Sequence, residues 1–210
     1  MSNKVFFIIG ASGSGKTMAM EGIEKRLPKA FNYCYYDSLG TPTDEEVYRD
    51  YGSWDEWHKH LTGIWVEKIK KDLISKKHTI IDGQIRPDFI EEACGRHRID
   101  SYEVILLECS LEERKRRLIE RGVPHVINPT LDPWVRYLHD ESAKREYLII
   151  DNTNLRPEET QEILLAYIAN TLKKPRKKRA TIHVYEEAAE EPERAAEPRV
   201  GRSRLRGDRE

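Results

Sequence analysis

Short apolar runs alternate along this chain with longer stretches in which apolar residues return at helical spacing. Val5–Ile9 is apolar without interruption, the pattern of a strand buried on both faces. A helix is predicted from Lys16 to about Arg26. Residues 33–36 predict a short second strand, closed by Asp37-Ser38-Leu39-Gly40-Thr41-Pro42, a loop by composition. A long helix is predicted over 54–75, a third strand over 78–81 ending at Asp82-Gly83, and a helix over 88–98 with Pro87 in its first turn. Residues 103–108 predict the fourth strand, and the charged stretch 111–121 a helix. Three prolines and a glycine in 122–133 predict a mobile loop. A helix over 133–145, a strand over 147–150 and a helix opening at Arg156-Pro157-Glu158-Glu159 and ending near Leu172 complete the pattern. There is no internal repeat.

This alternation predicts an α/β fold in three layers, with helices on both faces of a central five-stranded parallel sheet. The pattern stops after Leu172. Residues 173–210, KKPRKKR and then a Glu/Ala/Arg/Pro stretch, have little to bury and predict a disordered tail behind a domain of 1–172. The tail holds one brief apolar patch, Ile182-His183-Val184-Tyr185.

Composition matters at one point. Charged residues make up 35% of the chain against 38% hydrophobic, more polar than a compact domain, and the tail accounts for the excess. Residues 1–172 carry 24 basic and 29 acidic side chains, a net charge of −5 with histidine neutral. That balance argues against a domain built to coat nucleic acid, so nucleic acid could engage only the basic run 173–179. Such a run is also the composition of a solvated tail or a localisation address. Cys34, Cys94 and Cys109 are too few and scattered for a disulfide framework or a zinc site, and buried thiols are expected. The apolar run at the N-terminus is too short for a secretory signal or a membrane span, so no membrane association and a reducing cytoplasm are expected.

Between the first strand and the first helix stands Gly10-Ala11-Ser12-Gly13-Ser14-Gly15-Lys16-Thr17, which fits G-x-x-x-x-G-K-[ST]. Glycines let the backbone curl so that successive N–H groups meet phosphate oxygens, and a helix N-terminus adds partial positive charge. Lys16 is expected to neutralise β- and γ-phosphates of ATP and Thr17 to ligate Mg2+. Asp82, at the carboxyl end of the third strand, lies where ligands collect in such sheets and is expected to serve the same metal.

With these two elements placed, the chain resembles the small P-loop kinases, the group that contains adenylate, cytidylate, shikimate and gluconate kinases, over about residues 4–172. The phosphate loop, the run IIDGQIR, the arginine-bearing stretch 111–122 and IIDNTNLRPEE carry the likeness. Adenylate kinases end the third strand in D-G-F-P-R, whose Asp serves the metal and whose Arg grips the acceptor phosphate. Here the frame reads Asp82-Gly83-Gln84-Ile85-Arg86, which implies those roles for Asp82 and Arg86. Arg114, Arg117 and Arg121 fall at i, i+3 and i+7 on one helical face. The resemblance implies that Arg117 stacks on the base, that Arg121 meets the phosphates and that 122–133 is the lid, with Arg136 a weaker candidate for a closing arginine. Asp37 follows the second strand, where shikimate- and gluconate-type kinases carry an acid that orients or deprotonates an acceptor hydroxyl. Asp37 therefore points to an alcohol, and Arg86 to an acceptor that also bears a negative group. Tyr48, Tyr51, Trp54, Trp57 and Trp65 are consistent with core packing or with a wall of the acceptor pocket.

The leading expectation is an ATP-dependent kinase of a small metabolite or nucleotide. A P-loop ATPase or nucleotide-gated regulator without an acceptor is the alternative, and a nucleic-acid end kinase or binder a third. No Asn-Lys-x-Asp run is present to read guanine, which disfavours a regulatory GTPase.

Overall fold

The computed structural model describes residues 3–73 and 77–173. Its strands are β1 (Val5–Ile9), β2 (Phe31–Tyr35), β3 (His78–Gly83), β4 (Tyr102–Glu108) and β5 (Leu148–Asp151). Its helices are α1 (Lys16–Arg26), α2 (Asp44–Asp50), α3 (Trp54–Leu73), α4 (Pro87–Arg96), α5 (Leu111–Glu120), α6 (Leu131–Lys144) and α7 (Pro157–Lys173). The five strands form one parallel sheet in the order β2-β3-β1-β4-β5, as the alternation of elements requires. No described helix is long and apolar enough to cross a membrane.

β1 lies at the centre, with Val5 beside Thr79 of β3 and Tyr102 of β4. All five of its residues are buried, so every side chain must find an apolar partner on one face or the other. Val5, Phe7 and Ile9 join a cluster with Trp57, Trp65, Ile90 and Leu138 of α3, α4 and α6. Phe6 and Ile8 join Ala19, Met20, Ile23, Leu164 and Ile168 of α1 and α7 on the opposite face. Each fully buried residue of this size contributes about 1.5–3 kcal/mol, so the sheet is held from both sides. The chain visits β2 and β3 on one side of β1, then crosses to β4 and β5 on the other. The carboxyl end of β1 therefore lies at the topological switch point, where open α/β sheets hold ligands.

Several boundaries move. β2 spans Phe31–Tyr35 rather than 33–36, and the segment read as a loop begins as a 3-10 turn, Tyr36–Leu39. Tyr36 is only 1% exposed; its hydroxyl meets the His58 carbonyl and the Thr62 hydroxyl, and its carbonyl accepts from Trp65 Nε1 at 3.0 Å. Burial of that ring fixes the turn. α2 has no counterpart in the sequence reading. Its signal is a capping box: Thr43 accepts from the Glu46 N–H, and Glu46 accepts from the Thr43 N–H. The stretch 122–133 contains the short turn Pro124–Val126 and the start of α6, and Val123, Val126 and Ile127 pack on the core. Trp57 and Trp65 are core residues, Tyr51 and Trp54 pack half-buried beside them, and Tyr48 is exposed. All three cysteines are buried free thiols. The stretch predicted as a disordered tail lies outside the described residues, except for Lys173, which closes α7.

Candidate active site

The turn between β1 and α1 is built by close approach. Gly10 runs so near β4 that a Cβ there would stand 2.3 Å from the Leu107 carbonyl oxygen. Gly13 has φ +82, and a Cβ on it would meet Arg114 of α5 at 2.8 Å. Only glycine fits either place. Gly10, Ala11 and Ser14 are buried behind the turn, while Ser12, Gly13, Gly15, Lys16 and Thr17 line a cavity of about 650 Å3. The first turn of α1 carries no acidic side chain, which leaves the helix N-terminus free to favour an anion.

Lys16 is 8% exposed, and its Nζ donates to the Ala11 carbonyl at 2.9 Å. Burial lowers its pKa to about 8, against the opposing pull of the Asp82 and Asp37 carboxylates. Beside it, Thr17 Oγ1 donates to Asp82 Oδ2 at 2.8 Å. Burial raises the Asp82 carboxyl above its ordinary range, and the Thr17 bond and the Lys16 charge work the other way. A hydroxyl and a carboxylate in contact form a hard-oxygen pair of the kind that holds magnesium together with phosphates. Among the described residues no group of three or more His, Cys, Asp or Glu could hold a metal by itself.

Asp37 lies in the turn anchored by Tyr36 and lines the same cavity, close enough to Lys16 and Asp82 to act on both charges. Gln84 also lines it and donates from Nε2 to Ser12 Oγ at 3.1 Å. Arg117 and Arg121 line it too, Arg117 beside Gly15. Arg117 donates to Glu113 at 2.7 Å and to the Asn152 side-chain and main-chain oxygens at 2.9 and 3.0 Å. Arg121 has no ion-pair partner among the described residues and lies near enough to Lys16 to repel its charge.

Two arginines differ from expectation. Arg114 shares α5 with Arg117, and Arg121 follows at the helix end, but Arg114 is 3% exposed, packed under Gly13 and 3.7 Å from Asp132 of α6. Arg86 is not among the described residues that line the cavity. Its guanidinium takes Asp88 through two bonds of 3.2 Å and Asp55 at 3.0 Å, between the rings of Phe89 and Tyr137 at 4.8 and 4.7 Å. Arg136 is exposed on α6.

Asn152 is the residue the sequence reading overlooked. It is 3% exposed, donates from Nδ2 to the Ser14 carbonyl at 2.8 Å, and accepts from Arg117. Its signal was the run IIDNTNLRPEE, which marks the place without saying which of its polar residues turns inward.

No family model and no curated protein matches the chain. Solved structures do. A sugar kinase from Janibacter sp. HTCC2649 is 18% identical with a TM-score of 0.56, covering 80% of this chain and 95% of that one. A gluconokinase from Sinorhizobium meliloti 1021 is 17% identical with a TM-score of 0.57, covering 80% and 93%. A shikimate kinase from Acinetobacter baumannii, in complex with shikimate, is 17% identical with a TM-score of 0.53, covering 82% and 97%. At these identities the likeness establishes the fold, which is that of the small P-loop kinases.

Proposed function

We propose that this chain is an ATP-dependent phosphotransferase that passes the γ-phosphoryl group of magnesium-ATP to a hydroxyl of a small molecule. The observation that carries the reading is the Thr17–Asp82 bond beside buried Lys16, with the Asp37 carboxylate facing the same cavity. A hydrolase needs the first three groups; the fourth supplies a base for an alcohol. The kinase fold adds support.

The placement of these residues supports a role for each. Residues 10–17 would cradle the phosphates, with Lys16 and Arg121 as the neutralising charges. Thr17 and Asp82 would hold Mg2+, which when bound screens the charge between β- and γ-phosphoryl oxygens. Arg117 would stack on the base, its plane fixed by Glu113 and Asn152. Asp37 would orient the acceptor hydroxyl and take its proton. Transfer of this kind is mostly positioning and charge neutralisation, so the residues need only hold still and exclude water.

The test is ADP release with and without acceptors, with the phosphorylated product identified by mass. Lys16→Ala is expected to cost at least about a hundredfold in transfer, because a preorganised charge at the phosphates is lost, while melting changes little. Near-normal turnover by that variant would remove residues 10–17 from the reaction. Rapid phosphate release that no acceptor stimulates would favour the ATPase.

A further inference from the structure

The charge at the acceptor end of the cavity narrows the acceptor, given the phosphotransferase reading above. Among the described residues four basic side chains line the cavity: Lys16, Arg116, Arg117 and Arg121. Arg116 is taken by Glu113 and Glu120, and Arg117 by Glu113 and Asn152. Lys16 and Arg121 remain, near enough to repel each other, at the phosphate end. Asp37 and Asp82, both near Lys16, line the cavity together with Gly83 and Gln84, and none of these four is a cation. His58, close enough to feel the Asp37 charge, adds none, because burial holds its imidazole below the usual range and so neutral at pH 7.

Arg86 was the reason to expect an acceptor with an anionic group, and it is committed elsewhere. Asp55 of α3 and Asp88 of α4 neutralise its charge twice over, and Phe89 and Tyr137 enclose its plane. To serve a carboxylate or phosphate it would have to give up both partners and leave two acids beside the incoming anion. Desolvating like charges next to one another costs several kcal/mol. An uncharged hydroxyl compound meets no such barrier, since Asp37 and Gln84 offer acceptors and a donor suited to it.

We propose that the acceptor carries a hydroxyl and no anionic group: a neutral polyol or an amino alcohol, rather than a hydroxy acid or a nucleoside monophosphate. Its oxygen forms a bond to the γ-phosphorus as the bond from that phosphorus to the β,γ-bridging oxygen breaks. ADP leaves with the electron pair of the broken bond, and the hydroxyl proton passes to the Asp37 carboxylate.

The experiment offers the full chain magnesium-ATP with three sets of acceptors. They are ribose, myo-inositol and glycerol; choline and ethanolamine; and gluconate, shikimate, glycerate and AMP. Product is identified by phosphorus NMR. The expected result is transfer to a member of the first two sets with kcat/KM about a hundredfold or more above any anionic compound, the scale of a like-charge clash. A second measurement uses Asp55→Asn with Asp88→Asn, which frees Arg86. In the presence of a non-hydrolysable ATP analogue this variant is expected to gain a rise in melting temperature with gluconate or AMP that the unaltered chain lacks. An anionic compound that turns over fastest, or stabilises the unaltered chain as well as the double variant, overturns the inference and leaves phosphoryl transfer standing. ATP cleaved with no phosphorylated product in any set defeats the transfer reading itself, and this inference with it.

Discussion

Asn152 donates its Nδ2–H to the main-chain carbonyl of Ser14 at 2.8 Å and so ties the residue after β5 to the glycine-rich turn of residues 10–17. The same side chain receives Arg117 at 2.9 Å. One amide therefore holds both the turn and Arg117 where they line the cavity. Asn152→Ala is expected to weaken ATP binding at least about tenfold and to lower stability by about 1–3 kcal/mol, the cost of leaving buried polar groups unpaired. Calorimetric titration with ATP and urea unfolding check the two effects. Unchanged ATP affinity would show that Arg117 keeps its place without the amide.

The Thr17–Asp82 contact lets the proposed metal site be tested apart from the proposed nucleotide site. Thr17→Val removes the hydroxyl at nearly constant volume and leaves a buried carboxylate short of a donor. Stabilisation by ATP should then lose its dependence on magnesium, while Thr17→Ser restores it. A Thr17→Val protein whose ATP-dependent melting shift still responds fully to magnesium would exclude Thr17 as a ligand.

Asp37→Asn is expected to lower kcat for an alcohol acceptor by about a hundredfold, the scale of a positioned base, with ATP affinity nearly unchanged. Single-turnover transfer measures it. Wild-type speed would leave Asp37 as a turn residue that Tyr36 happens to place beside the cavity.

Arg86 links α3 through Asp55, α4 through Asp88 and α6 through Tyr137. Arg86→Ala should therefore read out as lost stability, about 2 kcal/mol from ion pairs and ring contacts, or roughly 4–8 °C in Tm for a domain of this size. An unchanged Tm together with a raised acceptor KM would return Arg86 to the acceptor site.

Glu113 gives a pH signature. Its bonds to Arg116 and Arg117 lower its pKa from 4.5 to about 2, so the unfolded chain binds the proton at a higher pH than the folded one. The stability it contributes is fully present above pH 4.5 and is lost as pH falls toward 2. Glu113→Gln should flatten that part of the acid limb in urea unfolding from pH 5 to 2.5. The same slope in the variant would place the acid sensitivity elsewhere.

What the sequence made legible was what depends on neighbours in the chain. The apolar run of β1 and the turn that leads from it into α1 are local, and both stand where the pattern puts them, as does the five-stranded parallel sheet. α2 was equally local: Thr43 and Glu46 spell its start, but only seven residues follow, too few for a clear helical period. Arg86 could not be read this way. Its fate rests on Asp55, Asp88 and Tyr137, which three helices bring together only in the folded chain. Arg114 shows the same limit at shorter range. The spacing of 114, 117 and 121 does put one face toward the turn, but it says nothing of depth. Gly13 comes down on Arg114, while Arg117 and Arg121 reach past it to the cavity.

The central place of β1 carries a consequence for how the chain comes to life. β1 leaves the ribosome before either of its neighbours, β3 and β4, which lie far downstream, since Val5 pairs with Thr79 and with Tyr102. Until both arrive, its backbone has no strand on either side and its apolar residues are only partly covered, and Gly10 has no Leu107 carbonyl to rest against. Such non-local pairing is slow and leaves sticky intermediates exposed. The cavity at the end of β1 therefore takes shape late in synthesis, so that the ATP affinity proposed for it would report a finished sheet.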